Sequence, residues 1–143
     1  METKYRNFIE KICKAGNVWA LKTEEGYAMS DSTEYVTEEG EALPLFCFWS
    51  EKSLAEACRV EGWMDYCPVS ISLEDFIEDW CIAVSDEESL IGIDFDRDMY
   101  GFEQEPLQLI LDLETELKVL NKVLSFRKFS SLGELTAMIR KLM

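Results

Sequence analysis

Hydrophobic side chains follow helical spacing at the start of the chain. Residues 5–13 place an aromatic and aliphatic set on one helical face, with polar side chains between its members. Gly16 follows, and glycine readily adopts the left-handed conformation that ends many helices. The pattern therefore predicts an amphipathic helix that ends near Gly16.

Strand patterns come next. Residues 18–21 and 27–29 are rich in apolar side chains and flank a short connection that contains glycine, which predicts a hairpin. Residues 43–49 form a nearly continuous apolar run typical of a central strand, and residues 69–73 alternate apolar side chains with serine, which predicts another strand. Residues 30–42 are polar and acidic, and we predict a long mobile loop there.

Two further helices are predicted in the middle of the chain. We expect Ser50 to cap the first helix and Gly62 to end it. Ser72 and Asp75 resemble the start of the second helix, which turns an apolar stripe inward. The acidic side chains of that helix are expected to face outward: Glu74, Asp75, Glu78 and Asp79.

The last third of the chain predicts a second hairpin and two helices. Residues 90–95 and 99–102 form the hairpin, and Pro106, favoured in a first helical turn, begins the longest helix. Ser131 with Glu134 forms a capping box before a short terminal helix. The long helix repeats apolar residues at spacings of three and four: Ile110, Leu113, Leu117, Leu120 and Leu124. Such a stripe either packs into the core or forms a dimer seam with a second copy.

This order of elements mixes helices and strands without strict alternation. The predicted fold class is therefore α+β, a mostly antiparallel sheet with helices packed on it, followed by a long helix and a short terminal helix. The length of 143 residues fits one domain. We assign residues 1–117 to that domain and residues 118–143 to a helical C-terminal extension.

The distribution of charge along the chain says more about possible partners than the overall composition does. The chain has 29 Asp and Glu against 14 Lys and Arg, a formal charge of −15, and it has no histidine. Residues 17–117 carry −22, whereas residues 1–16 carry +2 and residues 118–143 carry +5. An anionic surface favours cationic partners and repels nucleic acid, although it also serves solubility alone. The basic extension could fold back as a strap across the acidic body.

The missing histidine removes the usual catalytic chemistry. Without it a Ser-His or Cys-His nucleophile is impossible, and no glycine-rich phosphate-binding loop is present. We therefore predict no catalytic residue, no cofactor and no enzymatic activity. A small-ligand binder or an unusual carboxylate-based enzyme is kept as an alternative.

The cysteines and the overall hydropathy bear on the compartment. The chain has five cysteines at irregular spacings without the close pairs of a zinc site: Cys13, Cys47, Cys58, Cys67 and Cys81. Most lie in apolar stretches, so we interpret them as buried free thiols. No apolar run approaches the roughly 20 residues of a membrane span, and the first residues are too polar for a secretory signal. We therefore expect a cytoplasmic protein that does not bind membranes.

Several stretches resemble a known family in their order and spacing. They are residues 5–21, 43–49, 55–58, 73–80 and 90–95, with Trp63, Tyr66 and Pro68 between them. Together they resemble the small bacterial domain of unknown function 2750 (DUF2750), over about residues 5–117. The resemblance implies a bacterial, single-domain, cytosolic α+β protein, and it brings no established activity and no catalytic residues. Residues 118–143 lie beyond the resemblance.

One motif resembles a metal site. Asp94, Asp96, Asp98 and Glu105 fall at positions 1, 3, 5 and 12 of a calcium-binding loop, where carboxylates converge on a hard cation. Met99 stands where that loop needs glycine. The alternative interpretation is a hairpin whose outward positions are acidic.

A second group of residues is a candidate for partner binding. Trp63, Asp65 and Tyr66 form an aromatic and acidic patch, which is typical of an interface anchor or of the rim of a small core. The acidic segment before the central strand adds further candidates: Glu38, Glu39 and Glu41.

Our first hypothesis is a non-enzymatic protein-binding module for a basic partner, in the manner of an immunity protein or a DNA mimic. The second is a self-associating structural protein that dimerises through its C-terminal helices. The third is the ligand binder or carboxylate enzyme already named.

Overall fold

The computed structural model describes residues 2–143. The strands are β1 (Asn17–Thr23), β2 (Gly26–Tyr27), β3 (Met29–Val36), β4 (Ala42–Phe48), β5 (Cys67–Ser72), β6 (Leu90–Ile93) and β7 (Phe102–Gln104). The helices are α1 (Thr3–Ala15), α2 (Lys52–Ala57), α3 (Leu73–Asp75), α4 (Ile82–Asp86), α5 (Pro106–Val119) and α6 (Leu132–Leu142). A 3-10 turn covers Glu61–Trp63, and a π-helical turn, Phe76–Cys81, joins α3 to α4. The α+β prediction is confirmed.

The first helix forms as its pattern predicts. The Glu2 carboxylate accepts hydrogen bonds from the backbone N–H groups of Lys4 and Tyr5, which satisfies two donors at the start of α1. Gly16 ends the helix at a φ of 80°, a left-handed conformation that costs glycine little. The apolar face of α1 is buried in the core.

The strands form two mostly antiparallel sheets. In the first, the order is β2-β1-β5, and β1 pairs with β5 from Asn17↔Ser72 to Lys22↔Cys67. In the second, the order is β3-β4-β6-β7, with β4 and β6 parallel. An antiparallel bridge between Trp19 and Trp49 joins the two sheets. The predicted strand over 43–49 is thus central, as expected.

The predicted mobile loop over 30–42 is wrong, because most of that segment is strand β3 and the start of β4. Strand β3 carries a bulge between Asp31 and Val36 and lies at the edge of its sheet. The buried Glu103 carboxylate of β7 accepts hydrogen bonds from the Ser32 hydroxyl and from the Thr33 backbone N–H. Since these tertiary bonds hold a strand with few apolar side chains, the hydrophobic pattern did not show it.

Three details of the middle helices differ from prediction. Ser50 does not cap α2, because its hydroxyl and its N–H both donate to the Asp94 carboxylate. Gly62 does not end α2, because the helix ends at Ala57 and Gly62 lies in the 3-10 turn that follows. Ser72 does begin the next helix, accepting from the Asp75 N–H. Glu78, predicted to face outward, is buried, because it lies in the π-helical turn, where the wider i→i+5 bonding departs from α-helical spacing.

Two clusters of buried side chains fill the two faces of the sheets. The larger cluster joins α1, β1, α5 and the π-helical turn, and it includes Leu135 and Ile139 of α6. The smaller cluster lies around Leu45 and Trp49, where α2 contributes Ala55. The extension over 118–143 is therefore packed into the same core as the domain over 1–117.

Candidate functional site

The predicted aromatic patch lies on the smaller core cluster. Trp63 is half-buried, and its ring meets the ring of Trp49 edge-on at a centroid distance of 5.8 Å. Tyr66 is also half-buried and packs against the same cluster. Asp65 between them is exposed. The two aromatic side chains therefore pack against the core, and each remains partly accessible.

An open cleft of about 1020 Å³ lies beside this patch. Pairing of Lys22 with Cys67 brings the β1–β2 turn next to the segment that follows the 3-10 turn. Glu24, Glu25 and Asp65 line the cleft together with Tyr66 and the single cation Lys22, whose ammonium lies 5.2 Å from the Tyr27 ring centroid. Glu24 and Glu25 are therefore site residues that the sequence analysis missed.

The other predicted binding residues lie in a different place. Glu38, Glu39 and Glu41 are exposed in the β3–β4 connection, where the Thr37 N–H donates to the Glu41 carbonyl at 2.7 Å. None of the three lines the cleft with Asp65. The predicted binding set is thus divided between the β3–β4 connection and the connection from α2 to β5.

The basic extension docks on the helical side of the molecule. The Arg127 guanidinium donates to the carboxylates of Asp75 at 3.2 Å and of Asp79 at 2.7 Å. The Lys128 ammonium lies 2.8 Å from Asp79. The hydrogen bond from Lys128, with the positive charges of Lys128 and Arg127, lowers the pKa of the Asp79 carboxyl. The predicted basic strap is confirmed.

Two buried glutamates anchor the strap. Glu78 accepts a hydrogen bond from the Lys128 backbone N–H, and its carboxylate lies 3.6 Å from the Arg127 Nε. Glu114 on α5 accepts from the Thr136 hydroxyl at 2.7 Å and from the Arg140 guanidinium at 3.2 Å. The extension therefore pairs with carboxylates of α3, the π-helical turn and α5, and not with those of the acidic cleft, Glu24, Glu25 and Asp65.

One comparison identifies the chain. A family model for a protein of unknown function, DUF2750, matches residues 5–113. The chain belongs to the DUF2750 family. No curated protein and no solved structure matches it.

The matched DUF2750 region ends before the strap begins. It contains Asp75, Glu78 and Asp79, whereas Arg127 and Lys128 lie outside it. Glu114 and Arg140, by contrast, both follow residue 113 and so both lie outside the matched region. The cations that pair with the carboxylates of α3 and the π-helical turn therefore come from outside the family region.

Two of the four candidate calcium ligands, Asp94 and Asp96, accept hydrogen bonds from groups within the chain. The Asp94 carboxylate accepts from Ser50, and the Asp96 carboxylate accepts from the N–H groups of Asp98 and Tyr100 at 2.9 and 3.1 Å. Burial raises the pKa of Asp94. Within residues 2–143, no three acidic or cysteine side chains are placed to hold a metal ion. Glu105 is exposed and joins no such group.

The thiols divide into buried and exposed. Cys13, Cys47, Cys58 and Cys81 are buried, as predicted, and Cys67 is exposed in the acidic cleft. Burial raises the pKa of the Cys13 thiol to about 12 and raises that of the other three buried thiols as well. The four buried cysteines are therefore protonated small apolar residues.

The predicted dimer seam is occupied by the chain itself. Ile110, Leu113 and Leu117 of α5 are buried in the larger core cluster. The predicted continuation of this helix to Leu124 is wrong, because α5 ends at Val119, and Leu120 and Leu124 pack against the cluster from the segment that follows. These residues are therefore core residues and not a free dimer seam.

No helix within residues 2–143 is long and apolar enough to cross a membrane.

Proposed function

We propose that this DUF2750 chain is a non-enzymatic, cytoplasmic protein-binding module that captures a basic partner through the carboxylates of its acidic cleft, Glu24, Glu25 and Asp65. One observation carries the proposal. The basic extension pairs with carboxylates of α3, the π-helical turn and α5, while Glu24, Glu25 and Asp65 form no ion pair among residues 2–143. An immunity protein or a DNA mimic would use such a surface in the same way.

Charge and shape both favour this use of the cleft. Unpaired carboxylates around one open cleft attract a cationic surface over a distance and raise the rate of encounter. Tyr66 in the cleft and Trp63 beside it offer fixed aromatic surface, which is typical of the residues that dominate binding energy. Carboxylates would thus select the partner, and the aromatic rings would hold it.

A pair of matched variants tests this proposal. The first replaces Glu24→Gln, Glu25→Gln and Asp65→Asn, and the control replaces three exposed acids near the end of α4, Asp86→Asn, Glu87→Gln and Glu88→Gln. Both remove the same charge from the molecule. Each immobilised protein is incubated with lysate of the native host at low and moderate salt, and bound proteins are identified.

The proposal predicts a basic partner that is retained by the wild type and the control and lost by the cleft variant. Moderate salt should weaken retention, because exposed charge pairs are screened. Recovery of no basic protein at either salt, or equal loss with both variants, would contradict it.

Self-association through the C-terminal region is the second candidate, and a different set of residues favours it. Val119, Val123, Met138 and Leu142 are exposed, and Val123 is 93% accessible. Sedimentation of the wild type over a range of concentrations tests this candidate. A monomer at high concentration would remove it, and a dimer that dissociates in Val123→Ser and Leu142→Ser variants would support it.

A further inference from the structure

The second cleft of interest lies at the ends of the parallel strands. Strands β4 and β6 run side by side from Leu45↔Leu90 to Phe48↔Ile93, so their carboxyl ends meet at one edge. Here that edge borders a cleft of about 560 Å³, between α1, α2 and the 94–97 segment, a volume typical of small-molecule sites.

The loop that follows β6 is held in a strained conformation. Asp94 and Met99 have φ values of 47° and 66°, which non-glycine residues rarely adopt. The Phe95 carbonyl accepts from the Trp49 indole N–H at 2.9 Å. The Lys4 ammonium donates to the Asp94 carbonyl at 3.1 Å. Because buried partners fix this strained loop from several sides, its wall of the cleft is preformed.

Cationic and amide groups line one side of the cleft. Lys4, Asn7 and Lys11 project from one face of α1, at spacings of three and four, and Arg97 comes from the loop. Lys11 forms an ion pair with Glu51 at 3.1 Å. Lys4 and Arg97 form no ion pair among residues 2–143. Two cations without a carboxylate partner are thus gathered in one cleft of a strongly acidic chain.

The carboxylates of the cleft are turned toward internal donors. Asp94 accepts from Ser50, and Asp96 accepts from backbone N–H groups of its own loop. Glu2 accepts from the first turn of α1. The remaining lining residues are Thr3 and three apolar residues, namely Leu54, Ala57 and Phe95. The cleft therefore offers positive donors at one side and apolar surface at the other.

We propose that this cleft binds a small organic anion, with a carboxylate or phosphate group at Lys4, Asn7 and Arg97 and an apolar body against Leu54 and Ala57. This site is separate from the acidic cleft, so its failure would leave the proposed function intact.

Amide chemical shifts of the full chain test the site with four defined probes. Benzoate and phenyl phosphate carry both features, benzyl alcohol lacks the charge, and inorganic phosphate lacks the apolar body. Benzoate or phenyl phosphate should shift the amides of Asn7, Leu54 and Arg97 in a saturable manner. The two incomplete probes should bind about tenfold more weakly, because each loses one of the two contributions. Comparing benzoate with phenyl phosphate distinguishes the two anionic groups.

A matched pair of variants assigns the effect to the cleft. Arg97→Gln should weaken binding of the better probe about tenfold. Arg59→Gln removes the same charge from an exposed residue that does not line the cleft, and it should leave binding unchanged. Absence of saturable shifts with both anionic probes, equal binding of benzyl alcohol, or equal losses in the two variants would overturn the proposal.

Discussion

Glu78 is a charged side chain whose position depends on the extension. Its carboxylate is buried in the π-helical turn, and its partners are the backbone N–H of Lys128 and the guanidinium of Arg127. A buried carboxylate is costly unless such donors satisfy it. The residue therefore ties the family region to a segment outside it.

We predict that Glu78→Ala lowers the free energy of unfolding by about 1.5 to 3 kcal/mol, the usual contribution of a hydrogen bond to a charged group. Asp86→Ala, an exposed acid in α4, should change it by less than about 0.5 kcal/mol. Urea denaturation measures both. Equal effects of the two substitutions would show that the strap does not depend on Glu78.

The five thiols differ in burial, and this difference predicts how fast each of them reacts. In the native protein, Cys67 alone among the described cysteines should react quickly with a thiol reagent. Cys13, Cys47, Cys58 and Cys81 should react only as the chain opens. The Cys67→Ser variant should show no fast phase. A fast phase of more than one thiol in the wild type would contradict the described packing.

The same thiols predict a loss of stability in alkali. A thiol whose folded pKa is raised contributes stability that is complete below its unfolded pKa and is lost as the pH rises through the folded value. For Cys13 this window runs from 9.0 to about 12. Urea denaturation above pH 9 should therefore give falling free energies of unfolding, and Cys13→Ala should reduce the slope.

At the scale of elements, apolar burial and ion pairs contribute unequally to strap docking. Arg127 is 68% exposed, and solvent and salt screen the ion pairs of so exposed a cation. Leu135 of α6 is buried in the core, so truncating it creates a cavity. Apolar contacts should therefore hold the strap, and the ion pairs should set its position.

We predict that Leu135→Ala lowers the free energy of unfolding by about 2 to 5 kcal/mol and that Arg127→Ala lowers it by less. Met138→Ala, an exposed position in α6, is the control and should have little effect. Thermal and urea denaturation measure all three variants. A larger loss for Arg127→Ala than for Leu135→Ala would mean that charge holds the strap.

Elements defined by local chemistry were predictable from the sequence. The first helix with Gly16, the Ser72 cap and the Pro106 helix start each depend on residues within one or two turns. Strand β3 was not predictable, because Glu103, distant in sequence, holds it. The inward turn of Glu78 was missed for a similar reason, since periodicity assumes regular α-helical spacing.

At the scale of the whole molecule, the structure shows where the acidic side chains lie and which of them form ion pairs. The extension pairs with acids of α3, the π-helical turn and α5. The acids of the acidic cleft stay unpaired among residues 2–143. The sequence indicated the charge imbalance and the residues Asp65 and Tyr66. It did not indicate Glu24 and Glu25, because only the pairing of β1 with β5 brings them beside Asp65.

Amide shift mapping with an oligo-lysine peptide tests the central claim most directly, namely that a cationic partner binds at the acidic cleft. At low salt, the largest shifts should fall on Glu24, Glu25 and the residues around Asp65, while the amides around Asp79 stay unchanged because the strap keeps that surface covered. Shifts concentrated on Asp75 and Asp79, or shifts spread evenly over the whole surface, would contradict the account.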